Sequence, residues 1–273
     1  MRRVAPLLLL GLLAGPGDPA LAGETGCWFE NGAVVAPAAI GAIAGDYVID
    51  LSAPRTLLHV DVAMAAGHVG NALTLPVRLA GQTVETAPVT VQSLDYRAVG
   101  FSTPIVGVIG ADILDRYALT LDFSPCRLRL EALGAGPGGR KGGLPVTMVG
   151  GVPTIAVAAS DGLRGVAGPF ALDTASGGGV RARGATDGPR QKPAGILRGL
   201  SLDGTLRQDV PTVVAGDLPD GVVGAIGVRV LAGYRLRLDP EALRLWLTPV
   251  PGDLQKNDGN GGKEKGPGVT AEP

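Results

Sequence analysis

The chain has 273 residues, 45% of them hydrophobic, with 44 glycines, 22 prolines and only 4% aromatics. That length and apolar content allow one large domain or two small ones, and so many turn formers favour short strands over long helices or disorder. The formal charge of −1, with Lys and Arg scattered, excludes a basic nucleic-acid surface and an acidic cation store.

Residues 1–22 have the three parts of an export signal. Arg2 and Arg3 supply charge, residues 6–14 supply a short apolar run, and Ala20-Leu21-Ala22 supplies a small-x-small cleavage site before Gly23. The run is shorter than the roughly 20 residues of a membrane span. Cleavage is therefore expected over an uncleaved anchor, giving an exported protein, periplasmic or secreted, with no stable membrane insertion. Export permits a disulfide between the two cysteines, Cys27 and Cys126. It would tie the mature N-terminus to the end of the first half; two buried free thiols are the alternative.

Further along, residues 33–43 are small and apolar until Gly45 breaks the run, and residues 46–50 and 56–63 read as strands. Residues 64–71, with Gly67, Gly70 and Asn71, read as a loop or hairpin tip. In residues 73–79, Leu73, Leu75, Val77 and Leu79 share one face with Pro76 on the other, which predicts an edge strand. Residues 84–91 are β-branched and predict another strand. The turn 106–110 precedes a short helix over 111–117, with Ile113, Leu114 and Tyr117 on one face. Residues 118–123 and 127–130 predict a hairpin about Ser124-Pro125. Residues 133–144 form a Gly-rich linker between halves 23–132 and 145–250, and residues 251–273 are expected to be disordered.

The second half repeats the first. Residues 106–130 set on 223–247 without a gap match at 12 of 25 positions, including Gly107/Gly224, Ile109/Ile226, Gly110/Gly227, Leu114/Leu231, Tyr117/Tyr234 and Asp122/Asp239. A second block sets residues 45–53 on 168–176 and places Asp50 on Asp173. Each Asp follows an apolar strand: Tyr47-Val48-Ile49-Asp50-Leu51-Ser52-Ala53 and Phe170-Ala171-Leu172-Asp173-Thr174-Ala175-Ser176. A carboxylate there needs a hydrogen-bonding or charged partner.

Each half resembles a lobe of the retropepsin-like aspartic peptidases, closest to exported bacterial members with two lobes in one chain. The resemblance rests on the two Asp turns and on Val108-Ile109-Gly110-Ala111-Asp112-Ile113-Leu114 and Ala225-Ile226-Gly227-Val228-Arg229-Val230-Leu231. It implies an all-β fold of two tandem retropepsin/pepsin-like acid-protease lobes, each a small closed β-barrel with one short helix. It implies Asp50 and Asp173 as a catalytic dyad that activates water, with Ser52, Thr174, Ala175 and Ser176 supporting the loops and Gly110 and Gly227 in the second-motif turns. It further implies peptide-bond hydrolysis without cofactor or metal, on an extended peptide or protein held between the lobes of a monomer. Residues 64–71 and 184–195 stand where the family has covering flaps.

Two departures bear on activity. In the family, a hydroxyl after the Asp bonds across to the opposite loop, as Thr174 can, but Leu51 has no such group. A Gly normally follows, where this chain has Ser52 and Ala175; Ser52 is a candidate replacement for the missing bond. The alternative function is therefore a catalytically inactive peptide-binding or structural periplasmic protein that keeps the fold, with Asp50 and Asp173 capping their own turns.

Other chemistries lack their residues. His59 and His68 have no metal-ligand spacing around them. Ser176 lacks the Gly-x-Ser-x-Gly elbow, and the glycines 177–179 lack a following Gly-Lys-Ser/Thr. Asp122 and Asp239 are expected to be structural, and Trp28 and Trp246 to be packing residues.

Overall fold

The computed structural model describes residues 22–95, 100–133, 142–183, 195–212 and 218–250. The expected signal up to residue 21, linker residues 134–141, residues 184–194 of the second covering stretch and the tail from 251 lie outside the described residues.

The chain opens with β1 (Gly23–Gly26) and β2 (Trp28–Glu30), then the hairpin β3 (Ala33–Ile40) and β4 (Ile43–Ile49), which stops at Asp50. β5 (Leu57–His59) leads into helix α1 (Val60–Ala65) and the hairpin β6 (Ala72–Leu79) and β7 (Gln82–Gln92). β8 (Ile105–Ile109), the one-turn helix α2 (Ala111–Leu114) and the hairpin β9 (Tyr117–Phe123) and β10 (Cys126–Ala132) follow. Six of these strands close into a barrel, in the order β3-β4-β8-β5-β7-β6 with β6 returning to β3.

The second half has β11 (Leu144–Val149), β12 (Val152–Ser160) and β13 (Gly165–Leu172), which stops at Asp173. Then come β14 (Val180–Ala182), β15 (Gly195–Leu197), β16 (Gly199–Leu202), β17 (Thr205–Arg207), β18 (Val210–Thr212) and β19 (Gly224–Ile226). Helix α3 (Val228–Leu231) and the hairpin β20 (Tyr234–Asp239) and β21 (Arg244–Pro249) end it. Its pairings repeat the first half. β13–β19 is parallel like β4–β8, β14–β19 antiparallel like β5–β8, and β14–β18 parallel like β5–β7. The counterpart of β6 is divided at Arg198 into β15, paired with β18, and β16, paired with β12, so the second ring closes through Arg198. The counterpart of β7 is interrupted before β18 at Asp209, whose φ of 53 lies in the left-handed region.

The repeat is a repeat of contacts. Tyr47 and Phe170 are both fully buried. Each ring lies on the backbone of a glycine in the adjacent parallel strand: a Cβ on Gly107 would meet Tyr47 Cε1 at 2.7 Å, and one on Gly224 would meet Phe170 Cε1 at 2.2 Å. Where the halves meet, β1, β10 and β9 join β20, β21 and β11 in one sheet. β9 pairs β20 antiparallel, Leu121 with Leu236, Thr120 with Arg237 and Leu119 with Leu238. Leu119 and Leu121 are the repeat mates of Leu236 and Leu238, so a pseudo-two-fold axis passes through the Thr120–Arg237 pair.

Four expectations are corrected. Gly45 does not break a strand: it lies inside β4, and the turn falls earlier at Gly41, whose φ is 60. Gly45 stays extended because Val106 packs on it, where a Cβ would meet Val106 Cγ2 at 3.0 Å. Residues 60–63 are helical rather than extended; α1 carries Asp61 in its first turn, where it favours the helix dipole, and buries Ala63. β6 is interior, paired with both β3 and β7, and Pro76 is accommodated at a register shift between Leu75 and Val77. Helix α2 stops at Leu114, because Tyr117 already pairs with Ala132 in the β9–β10 hairpin.

Candidate active site

β4 and β13 deliver Asp50 and Asp173 to equivalent turns. The Asp50 N–H donates to Ile109 O at 3.0 Å and the Asp173 N–H to Ile226 O at 2.9 Å. Each carboxylate then accepts from the backbone two residues on: Ser52 N–H to Asp50 Oδ1 at 2.8 Å, Ala175 N–H to Asp173 Oδ1 at 3.0 Å. Both are turns of the Asx kind. The short helices brace them, with Ala111 N–H bonded to Ala53 O and Val228 N–H to Ser176 O.

The second-motif glycines sit beneath the turns. A Cβ on Gly110 would lie 2.6 Å from the Arg55 carbonyl, and one on Gly227 would lie 2.2 Å from Gly178 O. Both contacts are to backbone, which cannot swing aside. Gly227→Ala is expected to lower stability by about 1–3 kcal/mol by overpacking, measured as a fall in Tm. An unchanged Tm would show that the turn has room for a methyl group.

The two turns are joined by one hydroxyl. Thr174 Oγ1 accepts from Leu51 N–H at 3.1 Å and donates to Ile49 O at 2.7 Å, all within the buried interior. Leu51 returns nothing from its side chain, which packs in the main core. Ser52 does not replace the missing bond: its hydroxyl donates to Asp50 Oδ1 of its own turn, at 2.6 Å. The link between the loops is therefore one-sided.

Asp50 and Asp173 are 1% and 2% exposed, and both line a single cavity of about 250 Å³. Asn31, Ser52, Phe101, Ala175, Ser176 and Arg181 share its walls. Leu51 is not among the lining residues and does not plug it. Asn31 comes from the β2–β3 turn, which presses on the second half so closely that a Cβ on Gly32 would lie 2.0 Å from Gly177 Cα. A wider cavity of about 770 Å³ adjoins at Asn31, floored by Gly177, Gly178 and Gly179, with Phe29, Val228 and Arg229 around it. Residues 64–71, expected as a cover, line neither cavity among the described residues.

Sequence reasoning missed Arg181. Its Nη2 donates to Asp173 Oδ2 at 2.6 Å, with the Arg side chain 19% and the Asp side chain 3% exposed. This is the cation a buried carboxylate requires. The signal was present in the duplication: the spacing that sets Asp50 on Asp173 sets Leu58, a fully buried core residue, on Arg181. The chain also braces the first loop with Thr56, which donates from N–H and Oγ1 to Asp112 and accepts from Gly110 N–H. In the second half Arg229 stands in place of Asp112.

The remaining candidates fall elsewhere. Asp122 pairs with Arg235 across the halves, and Asp239 Oδ1 accepts from Ala242 N–H at 3.0 Å in a turn. His59 Nε2 lies 3.3 Å from Asp95, and Trp28 Nε1 donates to Glu30. Cys27 and Cys126 form a disulfide.

With two strand-borne Asp turns on one cavity, comparison with solved structures is decisive for the fold. An aspartic proteinase from Irpex lacteus superposes with a TM-score of 0.53, at 14% identity, over 85% of this chain and 98% of its own. The fold is that of the pepsin-like aspartic proteases. A retropepsin-like aspartic protease from Rickettsia conorii aligns over 41% of this chain and 93% of its own, at 16% identity and a TM-score of 0.32. No family model and no curated protein sequence matches the chain.

Proposed function

We propose that the chain is an exported, two-lobed aspartic-type peptidase with Asp50 and Asp173 as its dyad. The observation that carries this reading is that both carboxylates, at the ends of equivalent strands, are buried yet open onto one cavity. Two carboxylates sharing a site resist joint ionisation, so one serves as base and the other as acid. The base takes a proton from water as its oxygen bonds to the scissile carbonyl carbon, and the acid gives its proton to the carbonyl oxygen. The amide nitrogen then receives the first proton, the C–N bond breaks, and the remaining hydroxyl proton returns to the acid. The adjoining cavity at Gly177–Gly179 would take neighbouring substrate residues as an extended peptide. Export is supported by the disulfide; no helix among the described residues is long and apolar enough to cross a membrane.

A second reading is a peptide-binding protein without hydrolysis. The Arg181–Asp173 ion pair favours it, because the guanidinium occupies one oxygen of the dyad.

Cleavage of a broad peptide library from acid to neutral pH separates the two. Asp50→Asn and Asp173→Asn are each expected to reduce cleavage by about 10²–10⁴-fold, the contribution of a lost acid or base. Equal cleavage by wild type and variants would reject the dyad. Retention of peptides by a wild type that cleaves none would select the second reading.

A further inference from the structure

We propose that Arg229 is a specificity-determining residue that selects an acidic side chain in the bound peptide, close to the scissile bond. The inference rests on the peptidase reading above and adds the charge of the preferred substrate to it.

The duplication shows what this position does in the other half. There Asp112 braces the first loop: its carboxylate accepts from Thr56 N–H at 3.1 Å and from Thr56 Oγ1 at 2.7 Å. The repeat sets Gly179 on Thr56 and Arg229 on Asp112, so both members of the brace are replaced in the second half. Glycine brings no hydroxyl, and backbone holds the loop instead. Gly227 N–H donates to Gly179 O at 2.6 Å, and Arg229 N–H to Gly178 O at 3.3 Å. The guanidinium takes no part in this. Arg229 is exposed, and among the described residues no carboxylate pairs with it.

The same exchange shapes the space beside it. The floor of Gly177, Gly178 and Gly179 carries no side chain, and the cavity of about 770 Å³ lies over that bare backbone. Larger residues would not fit: a Cβ on Gly179 would lie 1.7 Å from Pro211 O, and one on Gly177 would lie 2.8 Å from Gly32 Cα. Phe29, stacked on Phe123 at 5.5 Å, joins Val228 and Ala232 in giving the walls apolar surface. Among the described residues that line this cavity, Arg229 is the sole ionisable group. The cavity meets that of the dyad at Asn31, which lines both. A peptide extended from one into the other places a side chain over the glycines and beside Arg229. The side chain of Glu complements these walls, with methylenes for the apolar surface and a carboxylate for the guanidinium. A basic side chain would meet like charge there.

The test uses matched peptides that differ only by Glu or Gln at one position, scanned along both sides of the cleaved bond at about pH 6, where the Glu side chain is ionised. At one position the wild type is expected to favour Glu over Gln by about 10-fold in kcat/KM, the order for one charge-assisted hydrogen bond to a partly screened cation. That ratio should fall toward unity below about pH 4, as the substrate carboxylate takes up its proton. Arg229→Gln is expected to abolish the preference. Arg229→Glu is expected to turn it toward Lys over Gln at the same position, an inversion that a merely structural role would not produce. A wild type that treats Glu and Gln alike at every position overturns the proposal, and so does a Glu preference that survives Arg229→Glu. Should the variants not fold, the wild-type scan and its pH dependence decide. The same peptides serve as equilibrium-binding probes where no bond is cleaved. Binding that favours Glu without cleavage refutes the peptidase reading alone; cleavage without the preference refutes only the role of Arg229. A protein that neither binds nor cleaves them overturns both.

Discussion

Thr174→Val is expected to destabilise the protein by about 2–6 kcal/mol and to reduce any dyad-dependent cleavage as well. Valine keeps the shape, so no cavity opens and the loss is that of hydrogen bonding alone. Without the hydroxyl, Leu51 N–H and Ile49 O are left unpaired in the interior. Each unsatisfied buried group costs about 1–3 kcal/mol. Against a total stability of about 5–15 kcal/mol, that is a large fraction. The effect has no backup, because Leu51 supplies no reciprocal bond and Ser52 is committed to Asp50. Denaturant unfolding measures the stability change, and Thr174→Ser, which keeps the donor and acceptor, should recover most of it. A Thr174→Val variant within about 0.5 kcal/mol of wild type, the scatter of ordinary surface substitutions, would show that the two turns are held by something else.

Removing the disulfide is expected to have an effect of similar size. The bond joins Cys27 to Cys126 across a sequence separation of 99 residues. In the chain-entropy model, releasing a loop of that length lowers stability by about 4–5 kcal/mol. The junction has little else to hold it: β1 and β2 are strands of four and three residues, and Cys27 N–H donates to Cys126 O at 3.2 Å. With both cysteines changed to Ala, the unfolding midpoint should fall steeply. In the unfolded wild type, two thiols should become titratable only after reductant is added. Two thiols titrating without reductant, or an unchanged midpoint in the variant, would count against the bond.

The sequence made the outline of this site legible because duplication turns weak local signals into paired ones. Gly107 and Gly224 meant little alone, but together with Tyr47 and Phe170 they mark one packing contact made twice. Asp50 and Asp173 were found in the same way, and the structure brings both to one cavity. What escaped was whatever differs between the copies. Arg181 was not noticed, since a lone Arg in a short strand has no local signature; its meaning lies in standing where Leu58 stands. Ser52 was placed across the gap by type of atom, while its backbone geometry turns the hydroxyl back to Asp50. Pro76 and Gly45 were read by intrinsic preference, which a register shift and the packing of Val106 overrode. α1 was missed because its six residues carry too little periodicity to tell a helix from a strand end.

The pseudo-two-fold axis at Thr120 and Arg237 has a consequence for how the halves choose each other. Arg237 Nη1 donates to Thr120 Oγ1 at 3.1 Å and also to Glu131, both from the first half. The repeat mate of Thr120 is Arg237 itself, and that of Glu131 is Thr248. If two second halves met in this register, Arg237 would face another Arg237 with no carboxylate in reach. If two first halves met, Thr120 would face Thr120 and Glu131 would lose Arg237 and keep only Arg129 of its own half. Only the unlike pair gives Arg237 both Thr120 and Glu131, so each half carries the complement of the other rather than of itself.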